Sequence, residues 1–146
     1  MKVSTEMIEG LSHITFIVHD LVRMENILTG VLGAKNVYDS GAATFSVSRE
    51  KFFLAGAGPT QVWIAIMEGE SLSTRTYNHV AFKISEADYQ ACLERVKSLG
   101  LEVREGRSRV DGEGRSIYFH DDDNHLFELH TGTLAERLKS YAMGKS

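Results

Sequence analysis

Residues 77–85, YNHVAFKIS, restate residues 11–20, LSHITFIVHD, and that restatement decides the fold. In each, a polar residue precedes a histidine, and the histidine opens an apolar alternation that ends at a polar cap. Superposing His79 on His13 places Val80 on Ile14, Ala81 on Thr15, Phe82 on Phe16 and Ile84 on Val18. Alternation puts Ser12, Ile14, Phe16 and Val18 on one face of the first strand, and His13, Thr15 and Ile17 on the other. A lone histidine in a strand is ordinarily a satisfied core or edge residue. Two at equivalent places in a duplicated unit, both facing away from the helix-packing side, point to a shared task.

The copies extend beyond the strands. Asp20 can cap a helix that carries Leu21, Met24, Ile27, Leu28 and Val31 on one stripe, with Gly33 near its end. Three strands are expected next, around NVYDS, ATFSVS and QVWIAIM, the last preceded by the turn AGAGPT. In the second half Ser85 and Asp88 form a capping-box pattern before Tyr89, Cys92, Leu93, Val96 and Leu99, and Gly100 closes that helix. LEVRE, RSIYFH and LFELHT then read as strands, and Thr133 with Glu136 caps a final helix over TLAERLKSYA. The expected fold is α+β: two βαβββ modules, about 8–70 and about 75–132, in a single domain 1–146 with a C-terminal helix over 133–143. A helix covers only one face of each sheet, so two curled mixed sheets would close around a cup into which His13 and His79 point.

Composition narrows the function classes. The 146 residues suffice for a real core, with 42% hydrophobic and 25% charged residues. A net charge of −4 without a basic run makes nucleic acid an unfavoured partner. Cys92 is the single cysteine, which excludes an intrachain disulfide and fits a reducing, cytoplasmic setting. MKVSTEMIEG has no apolar segment of signal-peptide type, and the longest apolar run, VWIAIM, is too short to cross a membrane.

A third chemical group lies in DDDNHLFELHT. Starting the strand at Leu126 puts Phe127 and Leu129 on one face, and Leu126, Glu128 and His130 on the other. An ionised carboxylate in mid-strand needs a partner, either an arginine or a metal. Two histidines and one carboxylate from three strands lining one cup favour a divalent ion with open positions for substrate, a catalytic rather than a structural set. The acidic turn DDDNH lacks calcium-loop spacing and reads as a hairpin turn. Glu50, expected to end the strand ATFSVS, is a surface carboxylate by default; beside a metal it can serve as a base toward water.

These motifs resemble a known family. The repeated βαβββ pattern with ligands on the first strand of each half and on the last strand is that of the vicinal oxygen chelate superfamily. Within it, IEGLSHITFIV, FSVSREKFF, YNHVAFKI and GEGRSIYFHDDDNHLFELHTGTLAERL are similar to the fosfomycin-resistance epoxide hydrolases of the FosX type, over nearly the whole chain. The resemblance implies that His13, His79 and Glu128 bind a divalent ion, usually Mn2+, and that Glu50 activates water as the catalytic base. It implies that Thr15, Tyr118 and Arg137, with Ser116 and Trp63, contact the phosphonate of fosfomycin or line its pocket. A basic phosphonate-binding residue is expected soon after the second helix; Arg104 fits from the strand side, while Arg107 and Arg109 fit when counting back from GEG. In this superfamily partner subunits often share each cup, so a homodimer is expected, with His13 from one copy and His79 with Glu128 from the other.

The chemistry so implied is water addition to the epoxide, giving an inactive diol. Its rivals are a thiol transferase using glutathione or bacillithiol, an extradiol dioxygenase with the same two-histidine, one-carboxylate set, and a drug-binding resistance protein without turnover. The full ligand set disfavours the last.

Overall fold

The computed structural model describes residues 5–43, 45–104 and 110–144. The chain divides into two compact units, Met1–Gly69 and Glu70–Ser146.

In the first unit β1 (His13–Val18) leads into α1 (Leu21–Leu32), followed by β2 (Lys35–Asp39), β3 (Glu50–Ala55) and β4 (Val62–Glu68). The helix starts where the Asp20 carboxylate accepts the Arg23 N–H, and stops where Gly33 takes a left-handed conformation with φ 64°. Its buried residues are Leu21, Met24, Ile27, Leu28 and Val31, the stripe the sequence predicts. They cover a sheet ordered β1-β4-β3-β2, in which β1 runs parallel to β4 and the other pairs are antiparallel. Phe16, Val18, Phe53, Ile64 and Ile66 form the buried side of that sheet.

The second unit repeats the plan. β5 (His79–Lys83) is followed by a short 3-10 turn, Glu86–Asp88, and by α2 (Tyr89–Ser98). The Ser85 hydroxyl accepts the Asp88 N–H at the turn. β6 (Glu102–Arg104), β7 (Ser116–His120) and β8 (Leu126–His130) complete a sheet ordered β5-β8-β7-β6, with β5 parallel to β8. Asp121 closes the β7–β8 hairpin by accepting the N–H groups of Asp123 and His125, with Asn124 at φ 69°, as the turn reading expects. α3 (Leu134–Gly144) begins with a reciprocal cap: Thr133 N–H donates to Glu136 Oε1, and Glu136 N–H to Thr133 Oγ1.

The registers make the repeat quantitative. Trp63 lies opposite His13 and Leu126 opposite His79; Ala65 lies opposite Thr15 and Glu128 opposite Ala81. Likewise Glu50 pairs with Met67 as Ser116 pairs with His130, and Phe52 with Ala65 as Tyr118 with Glu128. Glu50 in the first unit therefore occupies the topological position of Ser116 in the second.

One expected strand does not form. ATFSVS is a chain of bends over residues 45–48, and Phe45 and Val47 are 81% and 88% exposed. Alternation alone cannot make a strand there, because among the described residues no neighbouring strand pairs with it. The strand is EKFFLA instead, so Glu50 begins β3 rather than ending the preceding segment. Arg107 and Arg109 lie outside the described residues. No helix among the described residues is long and apolar enough to cross a membrane.

Candidate active site

The face of the first sheet away from α1 carries three rows. His13, Trp63 and Leu54 form the first; Thr15, Ala65 and Phe52 the second; Ile17, Met67 and Glu50 the third. The His13 ring packs on Trp63 with centroids 4.2 Å apart, and Phe52 meets the same indole edge-on at 5.2 Å. Ser12 Oγ sits 3.0 Å from His13 Nδ1. Two polar groups on this face have no protein partner among the described residues. Trp63 Nε1–H is buried without a hydrogen-bond partner among the described residues. Glu50 is 8% exposed, and no hydrogen bond or ion pair among the described residues engages its carboxylate. A largely buried side chain whose carboxylate meets no protein partner marks a place where chemistry is expected.

The corresponding face of the second sheet is denser in polar groups. Its rows are His79, Leu126, His120 and Glu102; then Ala81, Glu128, Tyr118 and Arg104; then Lys83, His130 and Ser116. His79 Nε2 is 3.0 Å from Glu128 Oε1. The other ring nitrogen, Nδ1, lies 2.7 Å from the carbonyl oxygen of Tyr77, so it is the one that carries the hydrogen and donates. With the Nδ1 hydrogen given to Tyr77, Nε2 and the adjacent Oε1 form a pair of donors suited to a cation. Bonds of about 2.1–2.2 Å to one ion, meeting at right angles, set neighbouring donors about 3 Å apart. A backbone carbonyl holding the outer nitrogen of a ligating histidine is also the usual orienting device. The donor set fits a divalent metal.

Glu128 is 3% exposed. Burial by itself would push its carboxyl upward. The hydrogen bonds of Ser116 and Tyr118, with the charge of His79, outweigh burial and hold it below the usual carboxylate range, so it stays ionised and able to ligate. Tyr118 Oη is 3.0 Å from Tyr77 Oη, and Tyr118 meets the His79 ring edge-on at 5.5 Å. Arg104 stacks over Tyr77 with Cζ 5.2 Å from the ring centroid, on the same row as Glu128 and Tyr118. Arg137, on α3, reaches His130 Nε2 at 3.3 Å.

The structure thus gathers His79, Glu128, Arg104, Ser116 and Tyr118 on one face of the second unit, with Arg137 reaching that face from α3, and His13, Thr15, Trp63 and Glu50 on one face of the first. Three residues escaped the sequence reading as site components. His130 sits two positions beyond Glu128, and that spacing on one strand face was its only signal. Tyr77 orients His79 through its carbonyl, which no side-chain pattern reveals. His120 is 4% exposed and neither ring nitrogen has a hydrogen-bond partner among the described residues; burial, followed by the charge of Arg75, depresses its protonation.

Comparison with known proteins agrees with this architecture. Residues 10–129 match the model of the Glyoxalase/Bleomycin resistance protein/Dioxygenase superfamily. The fosfomycin resistance protein FosX of Mesorhizobium japonicum is 62% identical over 138 residues, 94% of this chain and 96% of that protein. A crystal structure of a point mutant of FosX from Listeria monocytogenes, complexed with Mn(II) and 1S,2S-dihydroxypropylphosphonic acid, superposes with a TM-score of 0.82 at 52% identity, covering 92% of this chain and 99% of that one. The metallothiol transferase FosB of Staphylococcus saprophyticus is more distant, 32% identical over 139 residues, 92% of this chain and 85% of that protein. The chain belongs to the Glyoxalase/Bleomycin resistance protein/Dioxygenase superfamily and, within it, to the FosX group of fosfomycin-resistance proteins.

Proposed function

We propose that the protein hydrolyses fosfomycin to its vicinal diol in a manganese-dependent reaction and thereby confers resistance, with Glu50 as general base and His13, His79 and Glu128 as metal ligands. The observation that carries the hydrolytic role is Glu50, a residue only 8% exposed whose carboxylate is unpaired among the described residues and lies on the same sheet face as His13. A bound manganese ion supplies Lewis-acid stabilisation of the oxygen that leaves the ring carbon. Glu50 takes a proton from a water molecule, the water oxygen forms a bond to an oxirane carbon, and the ring carbon–oxygen bond breaks. The released alkoxide takes a proton from solvent and becomes the second hydroxyl, and Glu50 returns to solvent the proton it removed. Arg104 and Arg137 offer planar forks suited to the phosphonate oxygens, giving a cationic pocket in a chain of net charge −4. Thr15, Trp63, Ser116 and Tyr118 complete the lining.

The modules about 8–70 and 75–132, with the helix over 133–143, act as one domain of a cytoplasmic homodimer. Each site takes His13 from one copy and His79 with Glu128 from the other. Neither nucleic acid nor membrane is a partner. The test is phosphorus NMR of fosfomycin with purified protein and Mn2+, with and without glutathione or bacillithiol. Diol without added thiol is the expected product. A thiol adduct as the sole product, or recovery of unchanged drug, would overturn hydrolysis.

A further inference from the structure

A directed chain of hydrogen bonds runs behind Glu128. Ser116 Oγ lies 2.5 Å from Glu128 Oε2 and 2.7 Å from His130 Nδ1, and His130 Nε2 lies 3.3 Å from an Arg137 guanidinium nitrogen. Arginine has donors only. His130 Nε2 must therefore accept, which leaves the ring hydrogen on Nδ1. That N–H donates to Ser116 Oγ, and the serine hydrogen is left for the Glu128 carboxylate, which can only accept. Each direction fixes the next, from α3 through β8 and β7 to the carboxylate.

The packing around the ring keeps this order in place. His130 is 8% exposed, and the chain at Gly132 passes so near that a Cβ there would stand 2.9 Å from His130 Nε2 and 2.3 Å from the Glu113 carbonyl oxygen. Glu113, wholly buried, accepts Val110 N–H at 2.7 Å and Tyr141 Oη–H at 3.3 Å, tying the 110–114 segment to α3.

We propose that His130 is a positioning residue for the metal site: held by Arg137 with its hydrogen on Nδ1, it commits the Ser116 hydroxyl to Glu128 Oε2 and so presents Oε1 toward His79. A consequence is that Ser116 lines the pocket with its hydroxyl hydrogen already given to the carboxylate. The inference rests on the proposed role of Glu128 as a ligand.

Two measurements test it without turnover. In nitrogen-15 NMR of histidine-labelled, metal-free protein, His130 should show a protonated Nδ1 and a bare Nε2; the opposite tautomer would overturn the chain. Manganese titration followed by electron paramagnetic resonance should show His130→Leu binding about 10–100-fold more weakly, the usual scale for losing an outer partner of a ligand. His130→Asn, whose amide N–H can replace Nδ1–H, should recover most of that loss. Wild-type affinity in His130→Leu, alongside lost affinity in Glu128→Gln, would refute positioning by His130. Undiminished affinity in Glu128→Gln would instead remove the ligand role on which the inference stands. Misfolding of His130→Leu leaves the tautomer of the wild-type protein to decide.

Discussion

Replacing Glu50 by glutamine separates chemistry from binding and from folding. The carboxylate is 8% exposed with no partner among the described residues, so the amide breaks no ion pair there. Glu50→Gln should therefore melt close to the wild-type temperature. The amide cannot take a proton from water, so hydrolysis should fall by about 10²–10⁴, equivalent to about 2.7–5.4 kcal/mol of barrier. Manganese affinity should not change, because no ligand is touched. The assay is the initial rate of diol formation by phosphorus NMR, with metal content and melting temperature measured on the same sample. Diol formation at a near wild-type rate with full metal would refute the base assignment. A large fall in melting temperature would refute the claim that the carboxylate is structurally unpaired.

Other outcomes follow from particular contacts. Mixing His13→Ala with Glu128→Ala, each inactive alone, should restore part of the activity if copies share sites; no recovery, with dimers present in sedimentation, would exclude sharing. His120 is depressed by burial, so the unfolded chain takes up a proton near pH 6.5 while the folded one resists it; stability should be full above that value and decline as pH falls toward the folded value. His120→Leu should flatten that acid limb in urea titrations at about pH 7.5 and about 5.5. Gly132→Ala forces a methyl to 2.3 Å from the Glu113 carbonyl oxygen and should cost about 1–3 kcal/mol in denaturant unfolding, with weaker manganese binding because His130 must shift.

What could be read from sequence was whatever repeats or has a period. The two histidine-led strands reveal the duplication because each needs the same apolar face for its helix, and α1 buries the stripe expected of it. β3 was missed for a physical reason. As an inner strand it takes apolar residues on both faces, Phe53 on one and Phe52 with Leu54 on the other, so no alternation shows. Its helix-side Lys51 is tolerated because the Glu25 carboxylate on α1 lies 2.6 Å from its ammonium. The segment before it alternates cleanly yet has no neighbour to pair with among the described residues. The proposed ligands stand out as polar residues in apolar strands, while the order of donors behind Glu128 depends on the β7–β8 register, which no local pattern encodes.

That register also explains how one duplicated unit could supply a binding half and a reactive half. Glu50 stands where Ser116 stands in the other copy, and the Ser116 hydroxyl lies 2.5 Å from the Glu128 carboxylate in the adjacent row. The position therefore lies within side-chain reach of the centre of its sheet face, and glutamate is longer than serine. The place matching Glu128 in the first unit is held by Ala65, which leaves that centre unfilled by a ligand side chain. In the second unit every oxygen of Glu128 is engaged, which suits a group that must hold still. In the first, Glu50 and the Trp63 N–H have no partner among the described residues, which suits groups that meet water and substrate. A thiolate nucleophile would make an unpaired carboxylate at that position a liability by repulsion; a water molecule makes it useful. On the proposed role of Glu50, the charge of one side chain, at the serine-equivalent place in the repeat, favours hydrolysis over thiol transfer.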